Sequence, residues 1–197
     1  NITSSILSLV SGFEELGTYL QYASWSPDGS KITYSFRNEV YVMNPDGTGR
    51  TRLTNDTNVF VNPKFSPDGS KILVQSIASS SELDLFVINS DGSGSPTNLT
   101  SDISGRPTNA SWSPDGSKIV YEFDDGSDDE IYTMDSDGAN KSQLTDNAID
   151  DNDPEYSPDG LKILFRSNSM LYTMSNTGNT VSQVSDKTAG DSNWSPI

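Results

Sequence analysis

Apolar positions in this chain come in short bursts, four to seven residues long, and each burst ends at a polar turn. One set of bursts covers residues 31–36, 71–77, 118–123 and 162–166, and each is followed by a shorter burst at 40–43, 85–88, 131–134 and 171–174. Their residues are mostly β-branched, aliphatic or aromatic, which suits a pleated, half-buried surface. Nowhere do apolar residues recur at helical spacing over a useful length. The pattern predicts an all-β chain of short strands with a turn about every ten residues.

The turns are themselves periodic. Ser-Pro-Asp-Gly begins at Ser26, Ser66, Ser113 and Ser157, and an incomplete fifth copy begins at Ser195, at spacings of 40, 47, 44 and 38 residues. An aromatic precedes each copy: Trp25, Phe65, Trp112, Tyr156 and Trp194. Lys-Ile follows each complete copy, and a second turn comes later at Asp46-Gly47, Asp91-Gly92, Asp137-Gly138 and Thr177-Gly178. In the first turn Pro presets φ, Asp can bond the nearby backbone, and Gly takes positive φ. Each unit therefore predicts four strands. Strand A ends at the aromatic, B starts at Lys-Ile, C is the shorter burst, and D is expected at Leu53-Thr54, Leu99-Thr100, Leu144-Thr145 and Val184-Ser185.

A repeat of about 40 residues with four strands is the signature of β-propeller blades, which bury their faces only by stacking on one another. The expected architecture is a single β-propeller, or part of one, spanning 1–197. Its four-stranded antiparallel blades fall at about 20–55, 60–101, 107–146 and 152–186, with split terminal strands at 6–11 (a D strand) and 192–196 (an A strand). Those end strands would lack the rest of their blades. The chain continues beyond them, or they pair with another chain by self-association, or the ring closes differently; an open strand edge invites pairing.

Composition narrows the chemistry. With 12 basic and 28 acidic residues the net charge is −16, which repels nucleic acid and anionic lipid and favours cationic partners. There is no Cys and no His, so disulfides, thiolate or His-ligated metal sites and a Ser-His-Asp triad are excluded. No apolar run approaches a membrane helix. The first residue is Asn, so either a leader has been removed or this is a piece of a longer protein.

The unit aromatic-Ser-Pro-Asp-Gly-Ser-Lys-Ile, then a Tyr-Val-Met-type strand, Asp-Gly and Leu-Thr, resembles the TolB-type propeller repeat, best at residues 25–54 and 112–145. The resemblance implies periplasmic, secreted or cell-surface propellers that bind other proteins. It also implies propellers appended to peptidases, whose triad lies on a separate domain, and propellers with lyase chemistry that uses histidines.

Strand alternation puts the A–B and C–D turns on one face and the variable B–C and D–A loops on the other, where binding residues usually sit. Acidic residues gather there. Asp124, Asp125, Asp128 and Asp129 with Glu130 belong to the third B–C loop, and Asp146, Asp150, Asp151 and Asp153 to the next D–A connection. Asp124, Asp125, Asp128, Asp129, Asp150 and Asp151 are the candidate calcium ligands, since Ca²⁺ takes six to eight oxygens. A cationic partner surface and a plain solvated loop are the other readings. Asp135-Ser136-Asp137-Gly138 has a calcium-like spelling but occupies the ordinary C–D turn. Asn62, Asn109 and Asp153, on A strands, are placed to face a central channel. The repeated aromatics are expected to pack between blades rather than to stack on sugar. Six Asn-x-Ser/Thr triplets, at Asn1, Asn55, Asn98, Asn109, Asn140 and Asn193, stand little above chance in a chain so rich in Ser and Thr.

The expected function is a non-catalytic exported interaction or surface-scaffold module, binding a protein or polymer through the B–C/D–A face. Its place is periplasmic, cell-surface or extracellular, with no nucleic acid, no membrane insertion and no cofactor other than calcium. The alternative is the propeller part of a larger enzyme, as a peptidase-type substrate filter or in a polysaccharide-acting protein.

Overall fold

The computed structural model describes residues 20–55, 58–79, 82–124 and 126–184. The end strands expected at 6–11 and 192–196, Trp194 and Asp125 lie outside the described residues. The described residues contain sixteen strands and no helix. They form four antiparallel sheets of four strands, each in chain order.

Blade 1 consists of β1 (Leu20–Trp25), β2 (Ile32–Phe36), β3 (Glu39–Met43) and β4 (Thr51–Arg52). Blade 2 consists of β5 (Val59–Phe65), β6 (Lys71–Ser79), β7 (Glu82–Asn89) and β8 (Thr97–Asn98). Blade 3 holds β9 (Arg106–Trp112), β10 (Lys118–Asp124), β11 (Asp129–Asp135) and β12 (Ser142–Gln143). Blade 4 holds β13 (Asp151–Tyr156), β14 (Lys162–Ser167), β15 (Met170–Ser175) and β16 (Ser182–Gln183).

The first turn is built the same way in all four blades. Ser26 Oγ donates to Asp28 Oδ1 at 2.6 Å and accepts the Lys31 N–H at 2.8 Å, while the Gly29 N–H closes on the Ser26 carbonyl at 2.9 Å. Ser66, Ser113 and Ser157 repeat the arrangement with Asp68, Asp115 and Asp159. The serine is thus a buried knot that fixes where strand B begins. The isoleucine that follows points inward: Ile32 is 2% exposed and Ile72, Ile119 and Ile163 are fully buried.

Strand D lies earlier than expected. The two-residue edge strands are Thr51–Arg52, Thr97–Asn98, Ser142–Gln143 and Ser182–Gln183, all polar and without the apolar burst that marks the other strands. Of the Leu-Thr pairs taken for strand D, the leucine continues the bonding, with Leu53 N–H on the Val40 carbonyl at 2.8 Å and Leu144 N–H on the Ile131 carbonyl at 2.7 Å. The threonine turns its buried hydroxyl onto the start of strand C instead.

Each A strand also carries a bulge that the burst pattern did not show. Tyr22, Asn62, Asn109 and Asp153 sit at φ of 52°, 54°, 47° and 52°, each at a break in the A–B register. Asn and Asp tolerate this left-handed conformation; a tyrosine does so at a cost.

The chain divides into two compact units, 1–98 and 99–197. Within the first, Phe60 of blade 2 packs with Val40, Val42, Ile72, Val74 and Ile88, so one core spans the two blades. Within the second, Tyr156 of blade 4 packs with Val120 and Ile131 of blade 3 and with Ile163, Phe165 and Met174. Tyr156 and Trp112 are buried and Phe65 is half-buried, as inter-blade packing requires, but Trp25 of blade 1 keeps 44% exposure.

Candidate functional site

The B–C links are unequal. Blade 1 turns through Arg37 and Asn38, and blade 4 through Asn168 and Ser169, with positive φ at both central residues of each tight hairpin. Blade 3 instead extends its B–C loop from Asp124 to Asp129, which face each other in register. A long loop beside the D–A connection gives carboxylates room to gather.

Asp124 accepts the Gly126 N–H at 2.7 Å and lies 4.0 Å from the Arg106 guanidinium. Asp128 accepts the Ser127 hydroxyl at 2.9 Å. The Asp129 N–H donates to Asp150 Oδ1 at 3.2 Å, tying the B–C loop of blade 3 to the connection into blade 4. Asp129 is pushed up to about 6, first by burial and then by the charges of Glu122, Asp124 and Asp150, with Arg106 opposing. Asp151 is 1% exposed and accepts the Asn147 side-chain amide at 2.9 Å. Of the six candidate ligands, then, Asp124 and Asp150 are each neighbours of Asp129, Asp128 precedes it in the chain, Asp151 is withdrawn into the protein, and Asp125 is outside the described residues. No three carboxylates among the described residues converge as ready metal ligands.

Two acidic residues of this region matter more than their place in the charge run suggested. Glu122, in strand B of blade 3, is 8% exposed. It accepts Thr108 Oγ1 at 2.9 Å, Asn109 Nδ2 at 3.0 Å and the Asp153 N–H at 3.1 Å. Asn109 also donates to Asp153 at 3.2 Å, and Arg166 Nη1 donates to the other Asp153 oxygen at 2.7 Å. Asn109 and Asp153, which strand position alone would turn toward a channel, thus help bind blade 3 to blade 4. Glu130, 5% exposed, accepts the Asn147 N–H at 2.6 Å. Burial is the main cause raising its pKa, opposed by the Asn147 N–H and the Thr145 hydroxyl, with Asp151 and Asp128 adding to the rise. The available signal for both was position: each falls inside a strand, where a carboxylate has to be satisfied by neighbours.

The opposite face carries clefts. One of about 750 Å³ in blades 3 and 4 is lined by Pro114, Lys118, Tyr156, Leu161 and Asn176 among others. Its repeat equivalent in blades 1 and 2, about 640 Å³, is lined by Pro27, Lys31, Phe65 and Asp68 among others. They follow from stacking two identical turn faces.

Four sheets in the order A-B-C-D, each opened by the same Ser-Asp-Lys knot, agree with a family model for the TolB beta propeller domain, which matches residues 18–196. The chain belongs to the TolB β-propeller family. A TolB homolog of Chlorobium chlorochromatii is 36% identical over 141 residues, covering 70% of this chain and 31% of that protein. An uncharacterized Agrobacterium fabrum protein is 26% identical, covering 88% of this chain and 60% of its own length. A dipeptidyl-peptidase 5 of Porphyromonas endodontalis is 30% identical over 51% of this chain and 16% of the enzyme. This TolB-family chain therefore spans 60% or less of the curated relatives it matches.

Among solved structures, TolB from Acinetobacter baumannii superposes with a TM-score of 0.66 at 28% identity, over 80% of this chain and 41% of that one. An oligogalacturonate lyase in complex with manganese superposes with a TM-score of 0.67 at 18% identity, over 82% and 52%. The second likeness shows a shared fold alone. TolB-type blades thus occur both in proteins named TolB and in proteins named as enzymes, and the function has to be argued from the site.

Proposed function

We propose that this chain is a non-catalytic interaction module of an exported protein, periplasmic, cell-surface or extracellular, that binds a protein or polymer through its B–C/D–A loop face. The observation that carries this is the meeting of Asp124 and Asp150 at Asp129 on that face, with Asp128 next in the chain; burial first, and then the charges of Glu122, Asp124 and Asp150, hold Asp129 up to about 6. Like charges pressed together are relieved when a cationic group arrives, so the site favours a lysine- or arginine-rich segment over nucleic acid or anionic lipid. A TolB relative at 36% identity supports the family side of this reading. No helix among the described residues is long and apolar enough to cross a membrane.

The test is calorimetric titration with an oligolysine peptide. Binding at low salt should weaken steeply as salt rises. Asp128→Asn with Asp150→Asn should weaken it at least tenfold, while Asp28→Asn with Asp46→Asn, on the turn face, should change it little. Absence of binding at low salt, or equal loss from the turn-face pair, would remove the reading.

The second reading is the propeller part of a larger enzyme, favoured by the match to a dipeptidyl-peptidase 5. With no His or Cys the chain offers hydroxyl, carboxylate, amine, guanidinium, amide and phenol groups for chemistry. Peptide hydrolysis or oligogalacturonate cleavage by the purified chain, abolished by one carboxylate substitution, would establish catalysis within it.

A further inference from the structure

Repeat proteins allow each position to be compared with its own counterparts, and two positions at the seam of blades 3 and 4 break the pattern together. The first is one residue ahead of the buried start of strand C. Register equates Tyr41 opposite Arg52, Phe86 opposite Asn98 and Tyr132 opposite Gln143. The residue two before each of these tyrosines or phenylalanine is Glu39, Asp84 and Glu130. In blade 1 the acid is neutralised by Arg52 at 2.5 Å and bonded by Thr54. In blade 2 Asn98 donates to Asp84 at 3.0 Å. In blade 3 the place of Arg52 is taken by uncharged Gln143, and Glu130 takes part in no ion pair among the described residues.

The second position lies two residues before the A-strand bulge. Counted back from Asn62, Asn109 and Asp153 it is Phe60, Pro107 and Asp151. Phe60 is fully buried in the core and Pro107 is buried. Asp151 is just as buried, at 1% exposure, but carries a carboxylate. An apolar core position has become acidic beside an acid that, unlike Glu39 of blade 1, has no arginine to pair with.

Asn147 joins them. Its N–H donates to Glu130 Oε1 at 2.6 Å and its side-chain amide to Asp151 Oδ2 at 2.9 Å. Among the described residues the other oxygen of each acid, Glu130 Oε2 and Asp151 Oδ1, is buried and has no hydrogen-bond partner. Two buried carboxylates, each with an oxygen left over and no basic partner among the described residues, are costly to keep charged. A divalent cation removes that cost, and calcium suits it best because it takes oxygen ligands in irregular geometry, where magnesium demands a regular octahedron. Asn147 is exposed, so an ion can enter past it.

We propose that Glu130 and Asp151 form the floor of a calcium-binding site at the seam of blades 3 and 4, closed by the Asn147 loop, with water and loop carbonyls completing the shell. The site shares only Asp151 with the ligands expected from the acidic runs, and centres on Glu130 instead. It does not rest on the cationic-partner reading, because ion binding is measured with no peptide present.

The experiment is titration of the full chain with CaCl₂ by calorimetry, with thermal unfolding in EDTA and in millimolar calcium. Wild-type protein should bind about one ion here and melt higher in calcium, by mass action on the native state. Glu130→Gln and Asp151→Asn should each weaken binding at least tenfold and flatten the melting response. Both should melt in EDTA no lower than wild type, since a buried charge has been removed. Asp128→Asn and Asp150→Asn, in the exposed loop, should keep most of the response. A wild-type protein that shows neither binding heat nor a melting shift overturns the proposal. So does a calcium response that survives in Glu130→Gln and Asp151→Asn. Stabilisation by mild acid in EDTA with no calcium binding would show that the two acids share a proton, and would overturn it as well.

Discussion

The hydroxyl of Thr54 accepts the backbone N–H of Val40 at 3.0 Å, from a place two residues past the last strand of its blade. Thr145 does the same for Ile131 at 2.9 Å. Val40 and Ile131 are fully buried, so each N–H depends on this one side chain. Thr54→Val keeps the shape and removes the acceptor, and it also takes the hydroxyl from Glu39. The expected loss of stability is about 1–3 kcal/mol. Thr51→Val, exposed in the edge strand, should stay within about 0.5 kcal/mol of wild type. Urea denaturation of the two variants makes the comparison.

The turn serines predict an acid limb. Ser66 donates to Asp68 and, with Ser70, holds that carboxyl down to about 2 from 3.8; Asp28 and Asp115 are held at about 2 in the same way. A folded pKa below the unfolded one gives stability that is complete above the unfolded value and disappears as pH falls through the folded value. Ser66→Ala should therefore be less stable than wild type at neutral pH, with the gap narrowing below about pH 3. Denaturation midpoints between neutral pH and about pH 2 read this out. A gap independent of pH would show that only the Lys71 N–H bond matters.

Tyr22 holds a φ of 52° with 51% of its surface exposed, where the other three A strands have Asn62, Asn109 and Asp153. Left-handed backbone is unfavourable for tyrosine and tolerated by asparagine. Tyr22→Asn should stabilise the chain by about 0.5–1 kcal/mol, measured by chemical denaturation. Destabilisation would mean that the ring makes a contact that outweighs the strain.

Gly178 serves the seam as well as the turn. A Cβ there would stand 2.9 Å from the Leu144 carbonyl oxygen and 3.2 Å from its Cα, in the neighbouring blade. Gly29 has a similar φ, 70° against 80°, and open space around it. Both alanine variants suffer the backbone strain, so their difference isolates the contact. Gly178→Ala should cost about 1–3 kcal/mol more than Gly29→Ala, by thermal unfolding.

The repeat spacing, the Ser-Pro-Asp-Gly turns and the Lys-Ile bursts were enough to determine four blades, their strand order and the burial of Ile32, Ile72, Ile119 and Ile163. Those are local properties: turn geometry and alternation act over a few residues and recur with the repeat. Strand D escaped because an exposed edge strand needs no apolar burst, and Thr-Arg, Thr-Asn and Ser-Gln carry none. The bulges at Asn62, Asn109 and Asp153 had a faint signal, Asn or Asp beside Pro or Ala inside a strand. The site was legible only as a region. Composition and loop position brought Asp124, Asp128, Asp129 and Asp150 to one face, but a run of acids does not say which of its members is buried. That was decided by tertiary structure, where strand pairing turns Glu130 inward without an arginine opposite and stacking sets Asp151 where the neighbouring repeat keeps Pro107. Burial is a property of what covers a residue, and the covering groups come from another blade.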